Sequence, residues 1–163
     1  MDEITRKHDS AEFEPDAESI IQLDLVSWTE AFSCGIKIID DQHKGIINLI
    51  NEIFNHVSKN ENEEHEFSKK VIEQAKHYVE VHFKTEEQLM LLANVPGYKE
   101  HKKAHESFKE YIALNARNFE EGNNLPLSEF TGYLKGWVLS HIAVMDKEYF
   151  ECFKKSFPEQ FQY

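Results

Sequence analysis

Residues that can bind a metal ion recur at helical spacing along the 163-residue chain. His82 and Glu86 are four residues apart, and so are His101 and His105. Side chains at this spacing lie one turn apart on the same helix face, so both members of a pair can reach one ion. The sequence therefore predicts a metal site, because imidazole and carboxylate groups are common ligands of zinc and iron. The candidate ligands are His43, His82, Glu86, His101, His105, His141 and Asp146.

The number of candidate ligands, rather than any single one, favours a metal site. A lone buried histidine is usually a hydrogen-bonded core residue, and a lone HxxxE or HxxxH pair is usually a solvated helix face. Five imidazoles and two carboxylates facing one core are a different case. Burying each of these groups without a metal costs on the order of several kcal/mol, and a metal ion removes that cost by accepting the lone pairs.

His141 and Asp146 have an unusual spacing. They are five residues apart, which on an ideal α-helix places them roughly 140° out of line. If both side chains face the core, the helix needs a π-type bulge, a distortion often found at functional sites. We therefore predict such a bulge here. The remaining histidines fall on polar stretches, and we expect them at the surface: His8, His56, His65 and His77.

Four long amphipathic segments must position these side chains. Apolar residues such as Ile46 and Ile50 recur at three- and four-residue steps, the period of one helix face. The predicted helices span about 40–60, 63–92, 98–120 and 128–156. A Pro-Gly turn at 96–97 precedes the third helix, and Ser128 is a candidate N-cap of the fourth. The sequence predicts an all-α fold, an antiparallel up-down-up-down four-helix bundle with an N-terminal extension.

Composition limits the function classes. The chain carries 30 acidic and 18 basic residues, a formal net charge of −12. Because this charge repels nucleic acid and anionic membranes, we expect neither as a partner. We also expect no signal peptide and no membrane span, since no apolar run is long enough. The two cysteines, Cys34 and Cys152, form no metal motif, and we expect reduced thiols in a cytoplasmic protein.

Residues 1–27 differ from the rest of the chain. They carry eight acidic residues against Arg6 and Lys7, and Pro15 interrupts them. This composition favours a mostly flexible extension, with a short ordered piece at 20–26 whose aliphatic residues dock on the domain. We therefore place the folded domain at 28–163 and regard the extension as a candidate docking site for a protein partner.

The ordered set of motifs resembles the hemerythrin family, in particular its bacterial single-domain members. The resemblance extends from about 28 to 157, and all seven ligand positions of the family are filled. The matching stretches are Trp28 with Gly35, IDDQH at 39–43, HFKTEE at 82–87, PGYKEHKKAH at 96–105 and WVLSHIAVMDK at 137–147. One departure is Val138, where the family usually has leucine, and this smaller side chain would widen the ligand pocket.

The resemblance implies two iron ions joined by an oxo or hydroxo bridge. It assigns three histidines to one ion, two to the other, and a bridging role to both carboxylates. The three are His101, His105 and His141, the two are His43 and His82, and the bridging residues are Glu86 and Asp146. The second ion then has an open position, where dioxygen would bind as hydroperoxide. The apolar wall of this oxygen pocket would be formed by Phe83, Trp137, Val138 and Ile142.

Reversible dioxygen binding, for storage, delivery or sensing, is therefore the function we expect, without enzymatic turnover. Neutral imidazoles stabilise high iron oxidation states less well than the carboxylate-rich sites of di-iron oxygenases do. Three alternatives remain open. The first is a di-iron enzyme that acts as a peroxidase, in nitric oxide handling or in iron repair. The second is a zinc or iron storage or sensing module, and the third is a signalling module whose extension docks a partner.

Overall fold

The protein is described by a computed structural model that covers residues 24–59 and 64–161. Its long helices are α1 (Lys37–Lys59), α2 (Glu64–Leu92), α3 (Tyr98–Glu120) and α4 (Leu127–Trp137). α4 continues through a π-helical segment (Val138–Met145) and a 3-10 turn (Asp146–Tyr149) into α5 (Phe150–Ser156). These two stretches contain no strand, and the predicted all-α four-helix bundle is confirmed. Within them, no helix is long and apolar enough to cross a bilayer.

Contacts between neighbouring helices show that they run antiparallel. Glu52, late in α1, pairs with Lys70, early in α2. His43, early in α1, meets His82, late in α2, with ring centroids 4.8 Å apart. The same reversed order relates α2 to α3, and α3 to the fourth helix. The bundle therefore brings the start of α1 and the end of α2 to the same level along its axis.

Two apolar clusters divide the interior, and the candidate ligands lie between them. The larger cluster includes Ile46, Ile50, Ile53, Val71, Phe108, Ile112 and Phe130. The smaller cluster consists of Cys34, Ile36, Ile39, Met90, Val95, Tyr149 and Phe153. On α1, His43 lies between Ile39 of the smaller cluster and Ile46 of the larger one. Hydrophobic burial therefore stabilises the bundle on both sides of the site and separates the site from bulk water.

The fourth helix widens where the sequence predicts a bulge. The Asp146 N–H donates a hydrogen bond to the His141 carbonyl, the i→i+5 bond that defines a π-type turn. The prediction is confirmed, since the π-helical segment spans Val138–Met145. The wider turn lets both side chains face the interior, where each is only 1% exposed.

Two local predictions are wrong. Ser128 does not cap α4, which begins one residue earlier at Leu127, with Pro126 in the N-cap position and no side-chain cap. His56 is not a surface residue, because its ring stacks on Phe67 with centroids 3.6 Å apart and is 9% exposed. An imidazole ring can be buried by stacking on an aromatic face, so the polarity of histidine misled the assignment of His56.

The segment before α1 packs against the bundle. Val26 is buried, and the Asn51 side chain accepts from its N–H at 3.0 Å and donates to its carbonyl at 2.8 Å. Leu25 and Trp28 pack against the larger cluster. Residues 1–23, which make up most of the predicted acidic extension and include His8, lie outside the described residues. His65 and His77 are exposed, as expected.

Candidate metal centre

The four helices of the bundle deliver all seven candidate ligands to one place between the two apolar clusters. Each of these residues is at most 1% exposed. Their ligand atoms form two groups, within each of which the atoms lie no more than 4.8 Å apart. The four-donor group is Glu86, His101, His105 and His141, and the three-donor group is His43, His82 and Asp146. Both side chains of the HxxxE pair and both side chains of the HxxxH pair point inward, as the four-residue spacing predicts.

The four-donor group is compact. The Nε2 atom of His141 lies 3.1 Å from that of His105 and 3.0 Å from that of His101. One carboxylate oxygen of Glu86, Oε2, lies 3.1 Å from His105 Nε2 and 3.2 Å from His101 Nε2. Three ring nitrogens and one carboxylate oxygen therefore face a common point.

Asp146 connects the two groups. Its Oδ2 atom lies 3.2 Å from His43 Nε2 in the three-donor group, whereas its Oδ1 atom lies 3.3 Å from His141 Nε2 and 3.4 Å from His101 Nε2. Glu86 also reaches across, because its Oε2 atom lies 3.8 Å from His82 Nε2. The two carboxylates thus stand between the two sets of imidazoles, in position to contact an ion on either side.

Burial favours the neutral form of three of the site imidazoles, those of His43, His82 and His141. It lowers the pKa of His43 and lowers that of His82 well below the usual range. Burial, followed by the charges of neighbouring histidines, lowers the pKa of His141 to about 2. A neutral imidazole has a free lone pair on one ring nitrogen, which is the form that binds a metal ion.

The two carboxyl groups do not share one charge state. Burial, together with the charge of Glu86, raises the pKa of Asp146 well above its usual range. Burial alone would also raise the pKa of Glu86, but hydrogen bonds with His101 and His105 lower it well below that range. Two adjacent buried carboxylates repel each other, so the pair needs positive charge if both groups are to be ionised.

Several buried polar atoms of the site have no hydrogen-bond partner among the described residues. They include His43 Nε2, His82 Nε2, Glu86 Oε1 and both carboxylate oxygens of Asp146. Such atoms are costly to bury unless a ligand satisfies them. Metal cations would accept these lone pairs and neutralise the carboxylates at the same time. The residues present therefore fit a metal centre.

A family model described as the hemerythrin HHE cation binding domain matches residues 34–153. This match covers all seven residues of the two donor groups.

The chain belongs to the hemerythrin family.

It is 32% identical over 132 residues to a bacteriohemerythrin of Pseudomonas aeruginosa, an alignment that covers 81% of this chain and 84% of the relative. It is also 29% identical over 126 residues to a hemerythrin of Themiste dyscrita, covering 77% and 92% of the two chains. A crystal structure of a wild-type hemerythrin is similar with a TM-score of 0.67 at 27% identity, covering 79% of this chain and 98% of the other.

Two residues that support candidate ligands in this member of the hemerythrin family were missed by the sequence analysis. His105 Nδ1–H donates to Glu87 Oε1 at 3.1 Å, and His82 Nδ1–H donates to Gln42 Oε1 at 3.0 Å. These bonds fix each ring so that Nε2 faces the centre. Gln42 and Glu87 are sequence neighbours of ligands, and each supports a histidine on a different helix. In the sequence, each is a polar residue next to a candidate ligand. Such a residue cannot be distinguished from an ordinary exposed residue without the structure.

The four predicted wall residues of the hemerythrin pocket, Phe83, Trp137, Val138 and Ile142, are all buried. Phe83 stacks on His105 with ring centroids 3.9 Å apart, and Trp137 stacks on His141 at 3.8 Å. Both aromatic rings therefore lie against histidines of the four-donor group. The ring that stacks on His82, in the three-donor group, belongs to Tyr78, with centroids 4.6 Å apart. The sequence analysis did not single out Tyr78.

Proposed function

We propose that this hemerythrin binds two iron ions and reversibly binds dioxygen, as an oxygen storage, delivery or sensing protein. The observation that carries the proposal is the placement of Asp146, whose two carboxylate oxygens face imidazoles of different donor groups. A carboxylate divided in this way is suited to bridging a pair of ions. The names of the matched relatives, bacteriohemerythrin and hemerythrin, agree with this function.

The two groups would hold their ions unequally. Three imidazoles of the four-donor group and both bridging carboxylates give one ion five protein ligands. His43, His82 and the same two carboxylates give the other ion only four. One shared solvent-derived bridge would complete the ligand set of the first ion and leave the second with room for an exogenous ligand. Two ferrous ions held by these residues would supply the electrons for dioxygen binding.

The ligand types favour binding over turnover. The proposed set has five neutral imidazoles and two carboxylates, and fewer negative ligands give less support to the high iron oxidation states of oxidising enzymes. The chain surrounds the set with Phe83, Trp137, Val138 and Ile142, which exclude water from the ligand pocket. In this proposal the histidines and carboxylates hold the ions, and the wall residues protect the bound ligand.

The test is an optical spectrum of the anaerobically reduced, iron-loaded protein before and after addition of dioxygen. We expect a visible charge-transfer band that disappears when dioxygen is removed and returns on a second addition. An unchanged spectrum would contradict the proposal.

Two further measurements address the alternatives. Elemental analysis of protein purified from its native source should give two irons per chain, whereas zinc would support the storage or sensing alternative. Steady-state assays with peroxide and nitric oxide should show little turnover, because the proposed function is stoichiometric. Sustained turnover with either substrate would favour the enzymatic alternative.

A further inference from the structure

Two buried polar groups near the metal centre belong to neither donor group and have no hydrogen-bond partner among the described residues. They are the Tyr78 hydroxyl and the Trp137 indole N–H. The two residues are only 7% and 8% exposed, respectively. A buried donor left unpaired costs stability, so such groups are rare in folded proteins and often mark the place of a ligand or an ordered water.

Both groups are held in place by rings of the metal centre. Tyr78 precedes His82 by one turn of α2 and stacks on it with an interplanar angle of 21°. Trp137 precedes His141 by one turn and stacks on it with an angle of 13°. Each polar ring is therefore fixed against an imidazole of a different donor group.

The Tyr78 and Trp137 rings pack against the same two phenylalanine rings. The centroid of Phe83 lies 5.7 Å from that of Tyr78 and 5.6 Å from that of Trp137. The centroid of Phe108 lies 6.2 Å from that of Tyr78 and 4.4 Å from that of Trp137. The two residues that carry the unpaired donors are therefore close neighbours in otherwise apolar surroundings.

Both unpaired groups are hydrogen-bond donors, the Tyr78 hydroxyl through its O–H and Trp137 through its indole N–H. A neutral phenol is a strong hydrogen-bond donor to an anion.

A groove of about 480 Å³ between α1 and α2 reaches Tyr78 from the surface. Its lining includes Gln42, Ile46, Tyr78, Val81 and His82. The groove therefore borders both Tyr78 and the ring of His82, in the group that the proposed function leaves one ligand short.

We propose that Tyr78 and Trp137 form a donor pair that selects small anions, such as azide, and other ligands with negative charge on the outer atom, at the open position beside His82. This proposal rests on the proposed function, since it assumes an ion in the three-donor group. With this donor pair, the ligand pocket selects its ligand through hydrogen bonds, which a uniformly apolar pocket could not form.

The test compares azide binding to iron-loaded, oxidised wild-type protein and Tyr78→Phe, measured by optical titration. Phenylalanine keeps the ring that stacks on His82 and removes only the hydroxyl. We expect azide affinity to fall about tenfold to a hundredfold, the usual loss for a buried hydrogen bond to a charged group. The matched control is Tyr111→Phe, since Tyr111 is partly buried in a stack with Tyr133 away from the site. Tyr111→Phe should leave azide affinity unchanged.

A second measurement needs no substitution. The vibrational frequency of bound azide should shift when the wild-type protein is moved from water to heavy water, because the donor protons exchange. An unchanged frequency in the wild-type protein, or equal azide affinity in wild type and Tyr78→Phe, would overturn the donor pair. Either result leaves the proposed function intact if dioxygen still produces its reversible band. Absence of that band in the wild-type protein contradicts the proposed function itself.

Discussion

The two donor groups differ in how firmly the chain holds them. The four-donor group has three imidazoles, and the Glu87 carboxylate that supports His105 is itself bound to Lys102 at 3.0 Å. The three-donor group has two imidazoles, and a neutral amide, Gln42, supports His82. The surface groove is lined by His82 of the second group and by no residue of the first. If ions occupy both groups, as we propose, the first group is built to retain its ion and the second to exchange a ligand.

Removal of the metal should have the largest effect. Treatment of the reduced protein with a strong iron chelator should lower the melting temperature by roughly 10 °C, because tight binding to the folded state alone contributes a few kcal/mol. Calorimetry before and after chelation measures the change, and refilling with ferrous iron should reverse it. An unchanged melting temperature would mean that the buried donors are stable without an ion.

Substitution of one histidine in each donor group tests directly whether the two groups bind iron with different strength. His101 Nε2 lies within 3.4 Å of the carboxylates of both Glu86 and Asp146, whereas His82 Nε2 lies 3.8 Å from Glu86. We therefore expect His101→Ala to lose both irons and His82→Ala to keep about one per chain. Elemental analysis after desalting gives the counts, with the exposed His77→Ala as control. Equal iron loss in the two variants would remove the distinction between the groups.

The supporting residues allow a finer test. Glu87→Gln should weaken iron binding at the four-donor group about tenfold to a hundredfold, because the charged partner of His105 is lost. Gln42→Glu should strengthen binding at the three-donor group by the same reasoning. Competition with a chelator of known affinity measures both. Glu80→Gln, at an exposed position of α2, is the control and should behave as the wild type.

The smallest expected effect concerns the pocket wall. Val138 is fully buried in the larger cluster, and Val138→Leu should slow oxygen dissociation a few-fold by filling space beside the ligand. Stopped-flow mixing of the oxygenated protein with dithionite gives the rate. Val144→Leu is a matched control in the same π-helical segment, because Val144 is 55% exposed. Equal rates in the two variants would place Val138 outside the pocket.

The sequence predicted the structure best where the spacing of residues and the helix-terminating prolines and glycines indicated the same element. α3 spans Tyr98–Glu120 as predicted, because the Pro96-Gly97 turn and Gly122 delimit it. The five-residue step from His141 to Asp146 predicted the π-type turn, because on a regular α-helix the two side chains could not both face the core. Periodicity also placed the candidate ligands on inner faces, where the structure has them.

Features that depend on contacts between helices could not be predicted. Gln42 and Glu87 flank ligand positions, and only the packing of α1 against α2, and of α2 against α3, brings them to the Nδ1 atoms of other helices. His56 is buried because Phe67, on the neighbouring helix, covers its ring. The same limit applies to Tyr78, whose unpaired hydroxyl is visible only once its surroundings are known.

In the fourth helix, the direction in which the side chains point depends on the number of residues in the π-helical segment as well as on their types. Its wide turn takes up one residue more than an α-helical turn does. If ordinary α-helical winding replaced this wide turn without any change of sequence, everything that follows would rotate by about 100° about the helix axis. Asp146 would turn away from the imidazoles, and Phe153 would leave the smaller cluster. A protein engineer who transplants this centre onto a straight bundle must therefore transplant the wide turn as well, since the five-residue spacing on a regular α-helix would leave the last carboxylate facing the wrong way.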